Sequence, residues 1–470
     1  MIDPVPCERL PTARPGFEGC GRTAGLLEQS TTIVAPASGR GRAGVAVIRI
    51  SGPASRQSIE QFCGAAPAAR RASLRRIVDP RTGELLDHGL VLWFPGPASF
   101  TGEDAAEFHL HGARSVVAAV LRVLTDFCGC RLAEPGEFAR RAFANGKLDL
   151  PAVEGLADLI DSETEAQRRQ ALRQMDGVLG RQTQEWSSRL LDVIAWAEAA
   201  LDFSDEGDVP ARSLAQAIDP ARVVAGEIAA ALIESVKGER LRDGFVVAIA
   251  GPPNAGKSTL LNSLAKRDVA IVSPFAGTTR DVLEVRLELG GLPVILTDLA
   301  GIRDSSDPIE IEGIARAKRR IEVADLVLWL SAWNEPAPAP ALPHDRVILV
   351  RTKADTAPGS DSGPEFAQGF INLSAKQGLG VDTLLTFVED QARATVGSGD
   401  ALVAHERQRT VLDGCLRHLT RALDAFDSGL NDEFVAEDLR LAHRALARMS
   451  GHFDVEDVLG AIFSRFCIGK

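Results

Sequence analysis

The stretch FVVAIAGPPNAGKSTLLNSLA, residues 245–265, decides the fold. It opens with six apolar residues, the pattern of a strand at the centre of a sheet covered on both faces. Residues 251–258 then fit G-x-x-x-x-G-K-[ST], and an apolar helical pattern follows. A loop in this context curls its backbone N–H groups around phosphates. We therefore predict that Lys257 reaches the β- and γ-phosphates of a nucleotide and that the Ser258 hydroxyl ligates Mg²⁺.

Strand and helix patterns alternate from this loop to about residue 395. Residues 282–289, VLEVRLEL, alternate strictly between apolar and charged, and Gly290-Gly291 and LPVILTD follow, which is a hairpin signal. Further strands are predicted at 324–330, 346–350 and 371–375. Residues 244–395 thus predict a doubly wound parallel sheet with one antiparallel edge strand.

Two short motifs follow the last strands of this region. They are Thr352-Lys353-Ala354-Asp355 and Ser374-Ala375-Lys376, which resemble the guanine-reading motifs of GTPases, usually Asn-Lys-x-Asp and Ser-Ala-Lys. Asp355 would accept hydrogen bonds from the guanine ring N–H and exocyclic amine, which adenine cannot reproduce. Thr352 replaces the usual Asn, so we expect the amide that ties this loop to the phosphate loop to be missing. ATP use is the alternative that this change leaves open.

The residues for hydrolysis are predicted between these motifs. Asp298 ends a strand, where it can approach Mg²⁺, and the Gly301 N–H can face the γ-phosphate. Ile302 stands where Ras-like proteins carry a water-orienting Gln, and an apolar side chain cannot position water. The nearest carboxylates lie in the acidic run 307–312, whose spacing fits a solvated helix start equally well.

Two apolar stripes at helical spacing flank the predicted sheet. A one-sided stripe has to be buried against another element, so we expect the two stretches to pack together around the inserted region. This predicts a helical domain in two parts, 149–243 and 396–470, and an α+β domain over 31–148. Residues 1–30 are then an N-terminal extension that is either poorly ordered or the result of a translational start placed too early. The stripes are Trp186, Leu190, Val193, Ala197 and Leu201, and Val435, Leu439, Ala442, Leu446 and Met449.

Composition narrows the class of protein. Among 470 residues no apolar run approaches the roughly 18 that a membrane span needs. The seven cysteines show no metal-ligand spacing, which favours a reduced cytosolic chain over a redox role for Cys128-Gly-Cys130. A net charge of −12 argues against nucleic-acid binding by the whole surface, although one basic face would suffice. The candidate for such a basic face is a cluster of four residues, Arg316, Lys318, Arg319 and Arg320. A solvated face of an ordinary helix would explain the same cluster equally well.

The flanking motifs resemble the MnmE (TrmE) family of tRNA modification GTPases over about residues 31–470. GTPases of the ribosome-assembly type share the nucleotide core but not this flanking material. The motifs are TIVAPASGRGRAGVAVIRISG, SFTGEDAAEFHLHG, EPGEFARRAFANGKLDL, GPPNAGKSTLLNSL, AGTTRDVLE and the terminal FCIGK.

The resemblance implies a cytoplasmic homodimer that binds GTP, Mg²⁺ and K⁺, with an N-terminal domain for 5-formyltetrahydrofolate or a related one-carbon tetrahydrofolate. It implies GTP hydrolysis activated by potassium-dependent contact between GTPase domains. With the flavoprotein MnmG (GidA), such a protein adds an aminomethyl or carboxymethylaminomethyl group to C5 of the wobble uridine of certain tRNAs. The alternative is a GTP-dependent docking switch whose chemistry belongs entirely to a partner.

The resemblance also assigns residues to roles. Glu310 matches the glutamate that orients the attacking water, and Ser258 and Thr279 match the Mg²⁺ ligands. The potassium positions are Asn254, Ser273, Phe275 and Thr278. The remaining nucleotide positions are Ala255, Gly256, Lys257, Thr259, Asp298, Gly301, Thr352, Lys353, Asp355, Ser374, Ala375 and Lys376. The folate contacts fall on Arg49, Glu107, Lys147 and Lys470, which as isolated charges would equally fit an ordinary surface.

The chain ends in Phe466-Cys-Ile-Gly-Lys470. As a prenylation box this tail fails, because Gly469 is not aliphatic and Lys470 is not an accepted last residue. One reading is a buried thiol, with Phe466 and Ile468 anchoring the tail in the helical domain. The resemblance favours a tail that carries Cys467, a catalytic candidate, and Lys470 toward the folate pocket.

Overall fold

The structure is a computed structural model that describes most of the chain in two compact units. The first unit holds the described residues up to Lys147 together with Phe463, Phe466 and Gly469, and the second lies within Leu148–Ile462. The predicted domain boundaries remain predictions. The described residues are 31–39, 41–202, 210–271, 284–299, 319–356, 370–397, 399–430, 432–451, 462, 463, 466 and 469.

The first unit is built on a six-stranded sheet in the order β3-β4-β5-β2-β1-β6. All its strand pairs are antiparallel except β1 with β6. The short apolar runs VAVIRI (45–50) and GLVLWF (89–94), whose composition predicts strands, lie within β2 and β4. The strands are β1 Ile33–Pro36, β2 Ala43–Ser51, β3 Ser73–Val78, β4 Leu85–Phe94, β5 Ala105–Gly112 and β6 Arg131–Leu132.

Three helices complete the first unit: α1 Ser55–Cys63, α2 Arg114–Phe127 and α3 Glu137–Ala144. Alternate residues of the central strands, such as Ile48 and Phe108, are fully buried in one core cluster with residues of α1 and α2. Their neighbours Arg49 and Glu107 point to the opposite face, because successive strand side chains alternate. The sheet therefore has one apolar face under helices and one face that carries the polar candidates.

The described part of the C-terminal tail packs in the first unit. Phe463 and Phe466 are buried, and a Cβ on Gly136 would lie 2.6 Å from the Phe463 carbonyl oxygen. Gly469 has φ +104°, and a Cβ there would lie 2.0 Å from the Pro36 carbonyl oxygen. The expectation that Phe466 anchors the tail in the helical domain was wrong. Ile468, the second predicted anchor, lies outside the described residues.

The second unit contains the predicted doubly wound sheet, in the order β12-β11-β10-β7-β9-β8. Every pair is parallel except β8 with β9, so the single antiparallel edge strand is confirmed. The strands are β7 Phe245–Ala250, β8 Glu284–Leu289, β9 Leu292–Asp298, β10 Leu326–Ala332, β11 Val347–Thr352 and β12 Phe370–Asn372.

Strand β7 is apolar throughout because it is buried on both faces. Phe245, Val247 and Ile249 belong to one core cluster, whereas Ala248 and Ala250 belong to another. Helices α8 Lys257–Leu264 and α9 Val381–Val396 supply apolar residues to the first of these clusters. This double burial fixes the strand that leads into the phosphate loop.

The helices outside the sheet form a separate core. Both apolar stripes lie in it: nine of their ten residues are buried, and Leu201 packs against them. The helices of this part are α4 Leu150–Asp161, α5 Glu165–Met175, α6 Val178–Asp202, α7 Pro210–Asp243, α10 Glu406–Asp427 and α11 Asp432–Ala447. Among the described residues, no helix is long and apolar enough to span a bilayer.

An ion pair fastens the end of α7 to the sheet. Arg240 lies 3.1 Å from Asp325 Oδ1, and the other carboxylate oxygen of Asp325 accepts from the Val246 N–H at 3.0 Å. Gly244, with φ +93°, turns the chain from the helix into β7. The helical part and the nucleotide strand are thus connected at the base of β7.

Candidate functional site: a nucleotide site and a polar sheet face

The phosphate loop lies between β7 and α8 and has three residues with positive φ. These are Gly251 at +153°, Asn254 at +61° and Gly256 at +91°. A Cβ on Gly251 would lie 2.3 Å from the Leu330 carbonyl oxygen, so the loop starts where only glycine fits. Successive turns of this kind form the concave run of N–H groups that binds anions.

Lys257 arches back over this loop. Its Nζ donates to the carbonyl oxygens of Gly251 at 2.9 Å and Pro252 at 3.0 Å. Burial holds the pKa of Lys257 below its usual value, and the nearby Asp298 carboxylate partly offsets that effect. The ammonium is therefore placed at the loop mouth, where phosphate oxygens can take over its hydrogen bonds.

Asp298, at the end of β9, has the properties of a cation-site residue. Burial raises the pKa of its carboxyl group, while Lys257 and a hydrogen bond from Ser258 lower it. Its Oδ1 is buried and has no hydrogen-bond partner among the described residues. A buried carboxylate oxygen without a donor fits a hydrated divalent cation. Asp298 and the exposed Ser258 hydroxyl therefore fit Mg²⁺.

Thr352 connects the base-reading loop to the phosphate loop. Its hydroxyl is buried and donates to the Ala255 carbonyl oxygen at 2.6 Å. The expectation that replacement of Asn leaves the two loops untied was wrong, because a hydroxyl is also a donor and the carbonyl lies within its reach. The tie is retained with a shorter side chain.

We expect Thr352→Val to weaken GDP binding about tenfold, because it leaves the buried Ala255 carbonyl without its donor. Thr352→Ser keeps the hydroxyl and serves as the control, with affinity close to that of the unchanged protein. Titration with a fluorescent GDP analogue measures both. Equal affinities for the Val and Ser variants would show that the hydrogen bond does not order this site.

Asp355 and Ser374 bring the two base-reading motifs together. The Ser374 hydroxyl donates to Asp355 Oδ1 at 2.6 Å, and this hydrogen bond is the main reason that the pKa of Asp355 is lowered. Lys353, two residues before Asp355, adopts φ +56°, and the Ala354 N–H donates to the Leu373 carbonyl at 3.0 Å. The oxygens of an ionised carboxylate suit the two N–H donors on the guanine edge.

Arg351 was not predicted from the sequence as a residue of this site. Its guanidinium lies 3.7 Å from the centre of the Phe370 ring and 5.3 Å from that of Trp333. These cation–π contacts join the ends of β10, β11 and β12, next to Asp355 and Ser374. The sequence did hold a signal for this contact: Arg351 lies near the end of an apolar strand, and of the two neighbouring strands one ends next to the aromatic Trp333 and the other begins at the aromatic Phe370.

The polar face of the first sheet brings two of the predicted folate residues together. Arg49 and Glu107 are paired across β2 and β5, with Arg49 Nε donating to Glu107 Oε1 at 3.1 Å. His109 lies 3.1 Å from the other carboxylate oxygen. The Arg49 guanidinium lies 5.6 Å from the centre of the Phe100 ring and 5.9 Å from that of Phe138.

Lys147 lies in the same unit, close to Gly102. A Cβ on Gly102 would be 3.3 Å from the Lys147 Cε. Arg49 is about a quarter exposed and Glu107 about a fifth, so this pair is not a freely solvated surface charge. An aromatic and charged group of side chains of this kind fits a pterin and its acidic tail in chemical terms.

Comparison with known proteins decides the family. The family model described as the MnmE helical domain matches residues 150–467, and that described as the GTP-binding protein TrmE N-terminus matches 32–147. The tRNA modification GTPase MnmE of a Methylobacterium species is 57% identical, over 93% of this chain and 99% of its own. The chain belongs to the MnmE family of tRNA modification GTPases. It is therefore a GTP hydrolase that acts in tRNA modification.

Other relatives give the same family. MnmE of Rhodopseudomonas palustris is 50% identical over 93% of this chain and 99% of its own. Among solved structures, a variant of the Aquifex aeolicus protein Era bound to GDP and aluminium fluoride is 29% identical. That alignment covers 31% of this chain and 56% of the Era chain with a TM-score of 0.26, too low to support any argument here.

Several residues that the MnmE resemblance assigns lie outside the described part of the chain. Arg319 and Arg320 of the predicted tRNA cluster are described, helical and exposed. The described cysteines, Cys63, Cys128, Cys130 and Cys415, are free thiols, and burial raises the pKa of each. Outside lie Ser273, Phe275, Thr278, Thr279, Gly301, Glu310, Arg316, Lys318, Cys467 and Lys470.

Proposed function

We propose that this GTPase acts in the cytoplasm with the flavoprotein MnmG to modify C5 of the wobble uridine of certain tRNAs. The added group is aminomethyl or carboxymethylaminomethyl. The observation that carries the proposal is the nucleotide site in a chain of the MnmE family. It combines the arched Lys257, the unpartnered Asp298 oxygen and the Asp355–Ser374 pair.

In this mechanism the described residues bind and orient GTP. Lys257 exchanges its two carbonyl partners for phosphate oxygens, and Asp355 reads the guanine edge. Ser258 and Asp298 would hold Mg²⁺, which would neutralise phosphate charge when bound. Glu310, which matches the water-orienting glutamate of the MnmE family, would orient the attacking water in place of Ile302.

The proposal includes potassium-dependent contact between the GTPase domains of a homodimer. Asn254 is exposed at the mouth of the phosphate loop, with the left-handed backbone noted above, so its side chain is available to an ion there. Ser273, Phe275 and Thr278 complete the proposed set, and Thr279 joins Ser258 at Mg²⁺. A monovalent cation at this place supplies the positive charge that an arginine finger supplies in other GTPases.

We expect GTP hydrolysis to be at least about tenfold faster in KCl than in NaCl at equal ionic strength, because the cation site selects by size. Glu310→Ala should abolish hydrolysis in KCl while GDP still binds, because it removes the group that orients water. Phosphate release and GDP titration measure these two effects. Equal rates in the two salts contradict the potassium assignment, and full activity of the Glu310 variant contradicts its role.

The folate part of the proposal rests on the polar sheet face. Arg49 offers a cation for a carboxylate, and Glu107 offers acceptor oxygens for pterin N–H groups. Gly469 lies against Pro36, and the residue before Pro36, Ala35, pairs with Arg49 across β1 and β2. This position supports the assignment of the adjacent Lys470 to the folate site with Lys147, and of Cys467 to the chemistry beside it.

A further inference from the structure

The outer edge of the first sheet carries an unusual concentration of arginine. Four of the seven residues from 70 to 76 are Arg, although the chain has 64 acidic and 52 basic residues. Within the part of the chain that the structure describes, β3 is an edge strand of the sheet and pairs only with β4. Arg71 and Arg76 are exposed, and Arg75 is half-buried. We call Arg71, Arg75 and Arg76 the arginine edge.

The arginine edge lacks acidic partners. Many arginines elsewhere in the two units form ion pairs, such as Arg81 with Asp79 at 2.9 Å, directly beyond β3. None of the three forms an ion pair with a residue that the structure describes. Arg70 differs, because its guanidinium donates to the Ala98 carbonyl and lies over the Phe94 ring. Arg70 therefore anchors the start of the edge.

Arg75 is the informative member. Its Nε is buried and has no hydrogen-bond partner among the described residues. A guanidinium that is partly desolvated and unpaired costs free energy, which an anionic ligand would recover. The Cys63 thiol is close enough to interact with Arg75 electrostatically, but burial raises its pKa to about 11, so that group is neutral and supplies no charge.

The three side chains can reach one extended ligand. Arg75 lies on the same face of β3 as the buried Ile77, whereas Arg76 lies on the opposite face beside the exposed Leu74. Arginine side chains that extend from both faces of an edge strand can bind a ligand that runs along that strand. Arg71 precedes β3 by two residues. From Ser73 to Arg76 the strand itself extends roughly 10 Å at about 3.3 Å per residue, so the three arginines together span enough length to meet more than one phosphate of a nucleic-acid strand.

Protection of the edge against strand pairing is the ordinary explanation for charge on an edge strand. Exposed charges such as Arg71 and Arg76 fit it, but a half-buried, unpaired Arg75 adds nothing to it and costs stability. The planar guanidinium of arginine can donate two parallel hydrogen bonds to one phosphate. The choice of arginine therefore indicates a phosphate ligand rather than a general role in solubility.

We propose that the arginine edge binds the phosphate backbone of the tRNA substrate. This rests on the proposed function, in which tRNA is the substrate. The edge supplies affinity and orientation, while base recognition lies elsewhere, because contacts to phosphates carry no sequence information. It gives this acidic protein one local basic face for RNA.

The test is binding of labelled, unmodified tRNA to the full-length protein at several KCl concentrations. The double variant Arg71→Gln/Arg76→Gln should bind at least about tenfold more weakly at moderate salt. The slope of log affinity against log salt should become shallower by roughly 1.4 to 1.8, since two phosphate contacts are lost. The control is Arg114→Gln/Arg122→Gln, which removes equal charge from exposed positions on α2 and should change affinity less than twofold.

Arg75→Met gives a second, independent readout. We expect weaker tRNA binding together with a thermal midpoint that is unchanged or higher, because an unpaired guanidinium is removed while its apolar stem is replaced. A lower midpoint with unchanged tRNA affinity would make Arg75 a packing residue and contradict its assignment. GTP hydrolysis, measured in parallel, should be unchanged in all these variants.

The outcomes separate the two proposals. If the wild-type protein does not bind tRNA at any KCl concentration, both the proposed tRNA role and the proposed function of the arginine edge are wrong. If the unchanged protein binds tRNA and the double variant binds equally well with the same salt slope, only the arginine edge is wrong. Loss of MnmG binding with tRNA affinity intact would make the edge a protein interface and would also overturn the proposal.

Discussion

Asp355→Asn should transfer the preference of this enzyme from GTP to xanthosine triphosphate. The carboxylate accepts from the ring N–H and exocyclic amine of guanine, whereas an amide N–H₂ faces the amine with a donor. Xanthine presents a carbonyl at that position and accepts from the new amide. We expect GTP affinity to fall at least about 100-fold, because a site built for hydrogen bonds discriminates strongly when they are lost.

Competition between GTP and xanthosine triphosphate in a hydrolysis assay measures this change. Asp345→Asn is the control, because Asp345 is exposed in the segment that precedes β11 and should leave the preference for GTP intact. The Ser374 hydroxyl donates to Asp355 Oδ1, and an amide oxygen at this position can accept the same hydrogen bond, so we expect the loop to keep its place in the Asp355→Asn variant. An unchanged preference in the Asp355 variant would mean that another group reads the base.

Lys257→Met should reduce GTP hydrolysis by a factor of about 1000 or more, because removal of a preorganised charge at the transferring phosphate has effects of this order. Met keeps much of the apolar length of Lys but cannot donate to the Gly251 and Pro252 carbonyls or to phosphate. Steady-state phosphate release measures the loss, and nucleotide titration shows how much of it is binding.

Lys266→Met is the matched control for that variant. Lys266 follows α8 by two residues and is exposed, so the same substitution there leaves the phosphate loop unchanged. We expect the rate of GTP hydrolysis to stay within about twofold of the wild-type rate, because most substitutions of exposed residues have small energetic effects. Comparable losses in the two variants would show that the effect comes from general charge or folding.

The elements that the sequence predicted well are those whose pattern has a single physical solution. The apolar run of β7 requires burial on both faces, and the structure places its alternate residues in two clusters. The stripes headed by Trp186 and Val435 need a common partner, and they line the same core. The hairpin at Gly290-Gly291 follows from glycine at two positions of positive φ.

Site details that depend on distance between separate elements could not be predicted. The hydroxyl of Thr352 reaches Ala255 only because β11 ends beside the phosphate loop, which a motif comparison does not show. The pairing of Arg49 with Glu107 depends on the register of β2 and β5. Register is set by the whole sheet rather than by either residue.

The tail shows a different limit of sequence reasoning. One reading of the tail treated the apolar Phe466 as an anchor in the helical domain. The structure instead places it in the first unit, where it is buried with Phe463. An aromatic side chain needs a core, but its chemistry does not say which core, and long-range topology decides between them.

The most direct test of the account is mass analysis of wobble uridines in tRNA from cells that lack this gene. We predict that C5 aminomethyl and carboxymethylaminomethyl groups disappear from the affected tRNAs. The unchanged gene and Lys266→Met should restore them, and Lys257→Met should not. Normal wobble uridine modification in cells without the gene, or full restoration by Lys257→Met, would contradict the claim that GTP hydrolysis by this protein serves that modification.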